Sequence, residues 1–270
     1  MIWYNFKLII RRVIKDKAFT AVSILGLALG IMSFFILFLH VTNERSFDKH
    51  FQNYDNIYRV ISTPEQSDSP WARSLGFIKE TSSTLPEIEE ATQFTHSPLA
   101  NINLGEQDFQ QKDVMSVDES FIKMFSVKSL IGDLSEIAKP NTAFITEAFA
   151  KKYYKNENPV GKTIDINNLH GLSDNLAKYE IKGIIKNTPP KTHFNYHIIL
   201  SQKGALEKTF AALDDRKTHW VYNYITIKNG VLPSVVADKL LVSYNASSFK
   251  HTPGPKEYLF SLTIYRSWRI

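Results

Sequence analysis

Two histidines four residues apart, His193 and His197 in "HFNYH", are the first candidates for chemistry in this chain. On a helix that spacing puts two imidazoles on one face, where they can share a metal ion. Here they follow Pro189 and Pro190 and lead into the apolar run "HIILS", so the segment reads as a strand. In a strand, residues i and i+4 lie about 13 Å apart, too far for one metal, and the pair reads as strand-edge residues. "NPVGKT" ends like a phosphate-binding loop. The full motif needs a glycine five residues before Gly161, and Asn156 stands there, so the backbone cradle for phosphate is missing. The acid pairs Glu89–Glu90 and Asp214–Asp215 are adjacent in sequence, point apart, and read as solvated faces. "NAS" at Asn245 has the form of a glycosylation acceptor, a match expected by chance in a chain this long. No G-x-S-x-G or H-E-x-x-H motif is present. The expectation is a non-enzyme, with no catalytic residues, no cofactor and no metal.

The elements that would position these residues alternate between strands and helices. "FDKHFQNYDNIYRVIST" leads into a first strand, about Tyr58 to Thr63. "SPWARSLGFIKETSSTLP" has helical spacing and stops at Pro86, and "EEATQFTH" reads as a strand. "NINLGEQDFQQKDVMSVD" reads as a hairpin turning at Gly105, and "ESFIKMFSVKSLIGD" as a short helix and a strand. In "NTAFITEAFAKKYYKNENPVGKTIDI", Thr146 ends a strand and caps a helix through Tyr154; a turn at Pro159–Gly161 and another strand follow. "YEIKGIIKNTPPKTHF" alternates like a strand and closes on two prolines. A helix is expected near Lys203 to Leu213, a strand in "HWVYNYITIKNG", and an amphipathic helix in "LPSVVADKLLVSYN". Two strand–helix–strand units with a strand-rich block between them make an α+β pattern. "STPEQSDSP" is the most loop-like segment.

Ahead of all this, "AFTAVSILGLALGIMSFFILFLHV" runs for 24 residues, Ala18 to Val41, without one Asp, Glu, Lys or Arg. As a helix it reaches roughly 36 Å, enough to cross a hydrocarbon layer of about 30 Å. The run is longer than a signal peptide's apolar region and continues into "VTNERSFDKH" with no A-x-A cleavage pattern, so it reads as an uncleaved anchor. Lys7, Arg11, Arg12, Lys15 and Lys17 precede it against the single acid Asp16, which places the N-terminus in the cytoplasm and the rest outside. On a helical wheel Ile2, Phe6, Ile9, Ile10 and Val13 share one arc, and Lys7, Arg11 and Lys15 the opposite one. Residues 1–17 therefore read as an interfacial amphipathic helix with a basic anchor, and Trp3 and Tyr4 suit the same interface. Gly26 and Gly30 form G-x-x-x-G, a spacing that lets another helix approach closely.

Net charge is +5, and five basic residues sit in that leader; elsewhere bases and acids mix, which gives no nucleic-acid patch. Cysteine is absent, so disulfides and thiolate metal sites are excluded. The outer segment must fold by core burial alone, which 13% aromatic content makes feasible.

The basic leader, "SILGLALGI" opening the span and "FDKHFQNYDNIYRV" beyond it resemble the N-terminal part of MacB-like and FtsX-like ABC transporter permeases of the Bacteroidetes type. "VDESFIKMFSVKSLIGD", the "NPVGKTI" block, "YEIKGIIKNTPPKTHFNYHIILS" and "WVYNYITIKNG" are similar to successive segments of that family, up to about residue 250. The resemblance implies one transmembrane helix (18–41) after the interfacial leader (1–17), then a two-lobed MacB-like periplasmic core domain (42–250). A porter-like lobe of strand–helix–strand units would occupy about 50–100 and 178–248, and an inserted strand-rich lobe about 101–177. It also implies a homodimer or pairing with further permease segments in the bacterial inner membrane. A separate cytoplasmic ATPase would drive it, moving the spans and through them the periplasmic domain to export drugs, peptides or lipoproteins. Family members continue into three further spans, so residues 251–270 would be a truncated end and the chain a fragment or one piece of a split permease. The alternative is a singly anchored periplasmic binding or sensor module.

Overall fold

The computed structural model describes residues 15, 17–44, 46–51, 54–64, 74–76, 78–105, 107–155, 157–167, 169, 177–205, 207, 219–248 and 260–266. The chain divides into two compact units, Met1–Phe47 and Asp48–Ile270. In the first unit, α1 (Lys17–Glu44) is a 28-residue helix with no buried residue. It is long and apolar enough to cross a membrane. Its large apolar side chains, from Phe19 to Val41, are all exposed, so no face is committed to a protein core. The hydroxyls of Ser33 and Thr42 donate to the carbonyls of Leu29 and Phe38, which hides two polar groups against the helix's own backbone.

In the second unit, β1 (Ile57–Pro64), β2 (Ser74–Leu75), α2 (Ile78–Ser83), β3 (Ile88–Asn103) and β4 (Asp108–Val117) come first. Then follow α3 (Glu119–Met124), β5 (Ser129–Ile131), β6 (Thr142–Thr146), α4 (Glu147–Tyr153), β7 (Thr163–Asn167) and β8 (Ala177–Ile185). β9 (Ile198–Ser201), β10 (His219–Ile227), α5 (Pro233–Ser248) and β11 (Phe260–Arg266) complete it. The strands form one mixed sheet in the order β11-β1-β10-β3-β4-β9-β6-β8-β5, with β2 on β10 and β7 bridging β3 and β8. The β4–β9 and β6–β8 pairs are parallel and the rest antiparallel. With its apolar N-terminal helix, this is the α+β architecture expected from the sequence.

Both faces of the sheet are covered, and single strands show it. Successive strand residues point to opposite faces. On β6, Phe144 enters one core while Ala143 and Ile145 enter another, and all five β6 residues are buried. β9 divides the same way, with Ile199 opposed to Ile198 and Leu200. Towards the β1 edge the second face is covered by α2 and α5, where Ile78, Val236, Ala237 and Leu240 pack on Val60, Ile225 and Ile227. The first face carries a block of aromatic rings that includes Phe94, Phe121, Phe125 and Phe194.

Local chemistry explains the element ends. Asp118 caps α3 by accepting from Phe121 N–H, and Thr146 caps α4 through Phe149 N–H, as its sequence position predicts. Gly105 turns the β3–β4 hairpin at φ +85°, a conformation that suits glycine. Three details differ from expectation. Within the run from Ser69 to Pro86, the described helix covers only Ile78–Ser83; Gly76 precedes it, and Ser74–Leu75 instead pairs with β10. The strand "EEATQFTH" extends into the hairpin as one 16-residue strand, β3, which passes through Pro98. Residues 260–266 form β11 and pair with β1 along its length, from Pro64↔Phe260 to Tyr58↔Arg266. The helix expected near Lys203 to Leu213 falls mainly outside the described residues, as does most of the basic leader.

Candidate functional site

Asp48 lies four residues beyond the end of α1, and it is fully buried. Its backbone is left-handed, φ +57°, which aspartate tolerates better than most residues. The backbone N–H donates to the Lys191 carbonyl at 3.0 Å. One carboxylate oxygen accepts from Thr192 Oγ1 at 2.7 Å and from His193 N–H at 3.1 Å. The other meets His193 Nδ1 at 2.6 Å. A buried carboxylate is tolerated only with such partners, because desolvation of an unpaired charge is costly. Three residues on, Phe51 inserts its ring against Phe125 (5.2 Å) and Phe194 (5.8 Å). The first residues of the domain are therefore fastened to its interior by one polar knot and one aromatic plug. Burial lowers the pKa of neighbouring His50, partly offset by the Asp48 charge. Burial likewise pushes the Tyr224 hydroxyl up, and the Asp48 charge adds to the shift.

A second polar knot sits where β4 kinks. Asp113 is also left-handed, φ +59°, and the β3–β4 ladder breaks there opposite Pro98. Its carboxylate meets His96 Nε2 at 2.9 Å and accepts from Asn195 Nδ2 at 2.9 Å.

The histidine pair of "HFNYH" is not one site. The His193 imidazole goes to Asp48, whereas His197 donates its N–H to the Asp113 carbonyl and its own carbonyl accepts from Thr146 N–H. No group of three or more His, Asp and Glu side chains suited to a metal is assembled among the described residues. "NPVGKT" is a stitched turn. Asn158 Oδ1 accepts from Val160 N–H, Gly161 N–H donates to the Ile181 carbonyl, and the Lys162 ammonium pairs with Glu157. Its amides are thus committed to protein partners. Glu90 accepts from the Ser120 hydroxyl, and Asp214–Asp215 lies outside the described residues. A cavity of about 280 Å³ is lined by Lys79, Asp118, Glu119, Ser201, Gln202 and Lys203, among others. Its charges satisfy one another: Lys79 holds Asp118 at 2.7 Å, and Lys203 faces Glu119 at 3.3 Å.

Of the membrane-facing candidates, Gly26 and Gly30 lie in α1 with open space where a Cβ would stand. Lys15 and Lys17 are exposed, and Lys7, Arg11 and Arg12 lie outside the described residues. In sequence Asp48 stands within "FDKHF" with no sign of a role; its partners are more than 140 residues away, and no local pattern announces them.

The family model of the MacB-like periplasmic core domain matches residues 20–241. This chain belongs to that family. The MacB-like fold is repeated in solved structures. A domain of a putative permease protein from Porphyromonas gingivalis aligns with a TM-score of 0.62 at 19% identity, covering 80% of this chain and 93% of that one. The extracellular domain of the noncanonic ABC-type transporter YknZ from Gram-positive bacteria aligns at 0.52 and 9% identity, covering 77% and 100%. The periplasmic region of MacB from Actinobacillus actinomycetemcomitans gives 0.49 at 14% identity. No curated protein gives a significant match. The MacB-like family is a class of transporter permease components and not an enzyme class, and its apolar helix makes this member a membrane protein.

Proposed function

We propose that this chain is a permease subunit of an ABC-type export or mechanotransmission system. In this reading α1 crosses the bacterial inner membrane once, with its N-terminus in the cytoplasm and the core domain in the periplasm. Residues 1–17 anchor it at the inner interface through Lys7, Arg11, Arg12, Lys15 and Lys17. Gly26 and Gly30 are the close-approach face for a second copy or for further permease helices. A cytoplasmic ATPase moves the helices, and the movement reaches the domain through the turn at Asp48. The distinct core around Ile164 and Ile166 supports an inserted lobe at about 101–177 within a porter-like lobe at about 50–100 and 178–248.

One observation carries the proposal: Asp48, the first residue of the domain, is buried and bound by Lys191, Thr192 and His193, so a pull that reaches Asp48 is received by the interior of the domain. The alternative is a singly anchored binding or sensor module, with α1 as its anchor. Affinity purification of the tagged chain from native membranes separates the two. Recovery of an ABC ATPase with it, lost in a Gly26→Ile/Gly30→Ile variant, supports the permease. Recovery of the chain alone supports the anchored module.

A further inference from the structure

We propose that residues 186–197, the connection from β8 to β9, form a strap that couples the turn after α1 to the kink in the β3–β4 hairpin. The inference deepens the permease reading, because it names the route by which a pull at Asp48 would travel.

The strap has two anchors of the same build. At one end Asp48 takes Lys191, Thr192 and His193, as described. At the other end Asp113 takes Asn195 Nδ2 at 2.9 Å on its carboxylate and His197 N–H at 2.9 Å on its carbonyl. Thr188 Oγ1 holds the Asn195 amide oxygen at 3.1 Å, which steadies the side chain that grips Asp113. Both anchoring aspartates sit in left-handed backbone, at φ +57° and +59°. Few side chains tolerate that conformation, so each anchor depends on its bonds to hold the local geometry.

Between the anchors the strap is embedded. Phe194 packs on Phe125 with centroids 4.2 Å apart and on Phe51 at 5.8 Å, and Tyr196 is buried in the same cluster. Pro189 and Pro190 restrict the backbone at its entry. Only Phe194 separates His193, the last residue bound to Asp48, from Asn195, the first bound to Asp113. A segment so short, with its central ring enclosed, cannot shift at one anchor without disturbing the other. Along the hairpin, Phe94, Met115 and Val117 lie in the aromatic core on one side of the Pro98–Asp113 position, and Ala100 and Ile102 lie in the core around Tyr179 on the other. The strap thus ends where the hairpin passes from one core to the other.

The test is amide hydrogen exchange at residue resolution on the full chain in detergent micelles. In D48N, the His197 N–H, bonded to Asp113, should exchange about tenfold faster, while the Tyr154 N–H within α4 and its turn keeps its rate. In D113N, the Asp48 N–H, bonded to Lys191, should accelerate by a similar factor, because coupling between two sites is reciprocal. If D48N accelerates every amide, Thr192→Val removes the donation to Asp48 and the acceptance from Phe194 N–H, keeps both His193 contacts to Asp48, and should give the same pattern at smaller amplitude. Acceleration confined to the substituted end in both directions overturns the strap. The measurement needs neither ATP nor a partner. Retained coupling in a chain that recruits no ATPase would sink the permease reading and leave the strap standing; lost coupling in a chain that does recruit one would do the reverse.

Discussion

Asp48 concentrates several consequences of burial in one side chain. Its two carboxylate oxygens are approached by Thr192 Oγ1, His193 N–H and His193 Nδ1. Replacement by alanine removes the acceptor and leaves three polar groups to find water. We expect Asp48→Ala to lower domain stability by about 2–4 kcal/mol, measured by urea denaturation. Asp48→Asn, which keeps the shape and loses the charge, should cost less. A second residue-scale expectation concerns alkali. Burial pushes the hydroxyls of Tyr154 and Tyr196 up to about 12, from an ordinary value near 10. The folded state therefore holds their protons more tightly than the unfolded chain does. That contribution is whole below about pH 10 and falls away as pH rises towards about 12. Tyrosinate absorbance at Tyr154 and Tyr196 should appear together with loss of the fold, not before it.

At the scale of elements, the caps and one close approach make specific claims. Thr146→Ala removes the side-chain oxygen that accepts from Phe149 N–H and should cost about 1 kcal/mol, read from thermal unfolding. Gly183 is more demanding: a Cβ there would stand 2.3 Å from the Ile131 carbonyl and 2.8 Å from the Phe144 ring. Gly183→Ala should displace β5 from β8, exposing the amides of that edge to exchange while β6–β8 pairing persists. The Thr146 cap was legible from sequence, because it stands just before a helical stretch whose first turn carries Glu147. The glycine requirement was not, since the atoms that forbid a Cβ come from β5 and β6, some 40–50 residues away in sequence. β11 was equally hidden; its pairing with β1 joins residues about 200 apart.

For the whole molecule the decisive property is the partition between lipid and water. With α1 uncharged from Ala18 to Val41, the chain should remain in the membrane pellet after alkaline carbonate washing. A periplasm-active reporter fused after residue 60 should be active, and one fused at residue 16 silent; the reverse pattern would invert the proposed orientation. The MacB-like fold adds a domain whose anchoring turn, strap and kinked hairpin form one connected polar and aromatic path.

The amino-acid order alone determined the apolar helix, the alternation of strands and helices, the Thr146 cap and the family, because each is written in local periodicity or in runs of neighbouring residues. It also disfavoured the tempting motifs, since "NPVGKT" lacks a glycine and "HFNYH" enters a strand. Only the tertiary structure decided what Asp48 and Asp113 do. An aspartate in sequence is a solvated charge until folding brings donors to it, and here those donors arrive from residues 191–197. The same holds for the sheet edge, where β11 becomes a strand because β1 offers it a ladder.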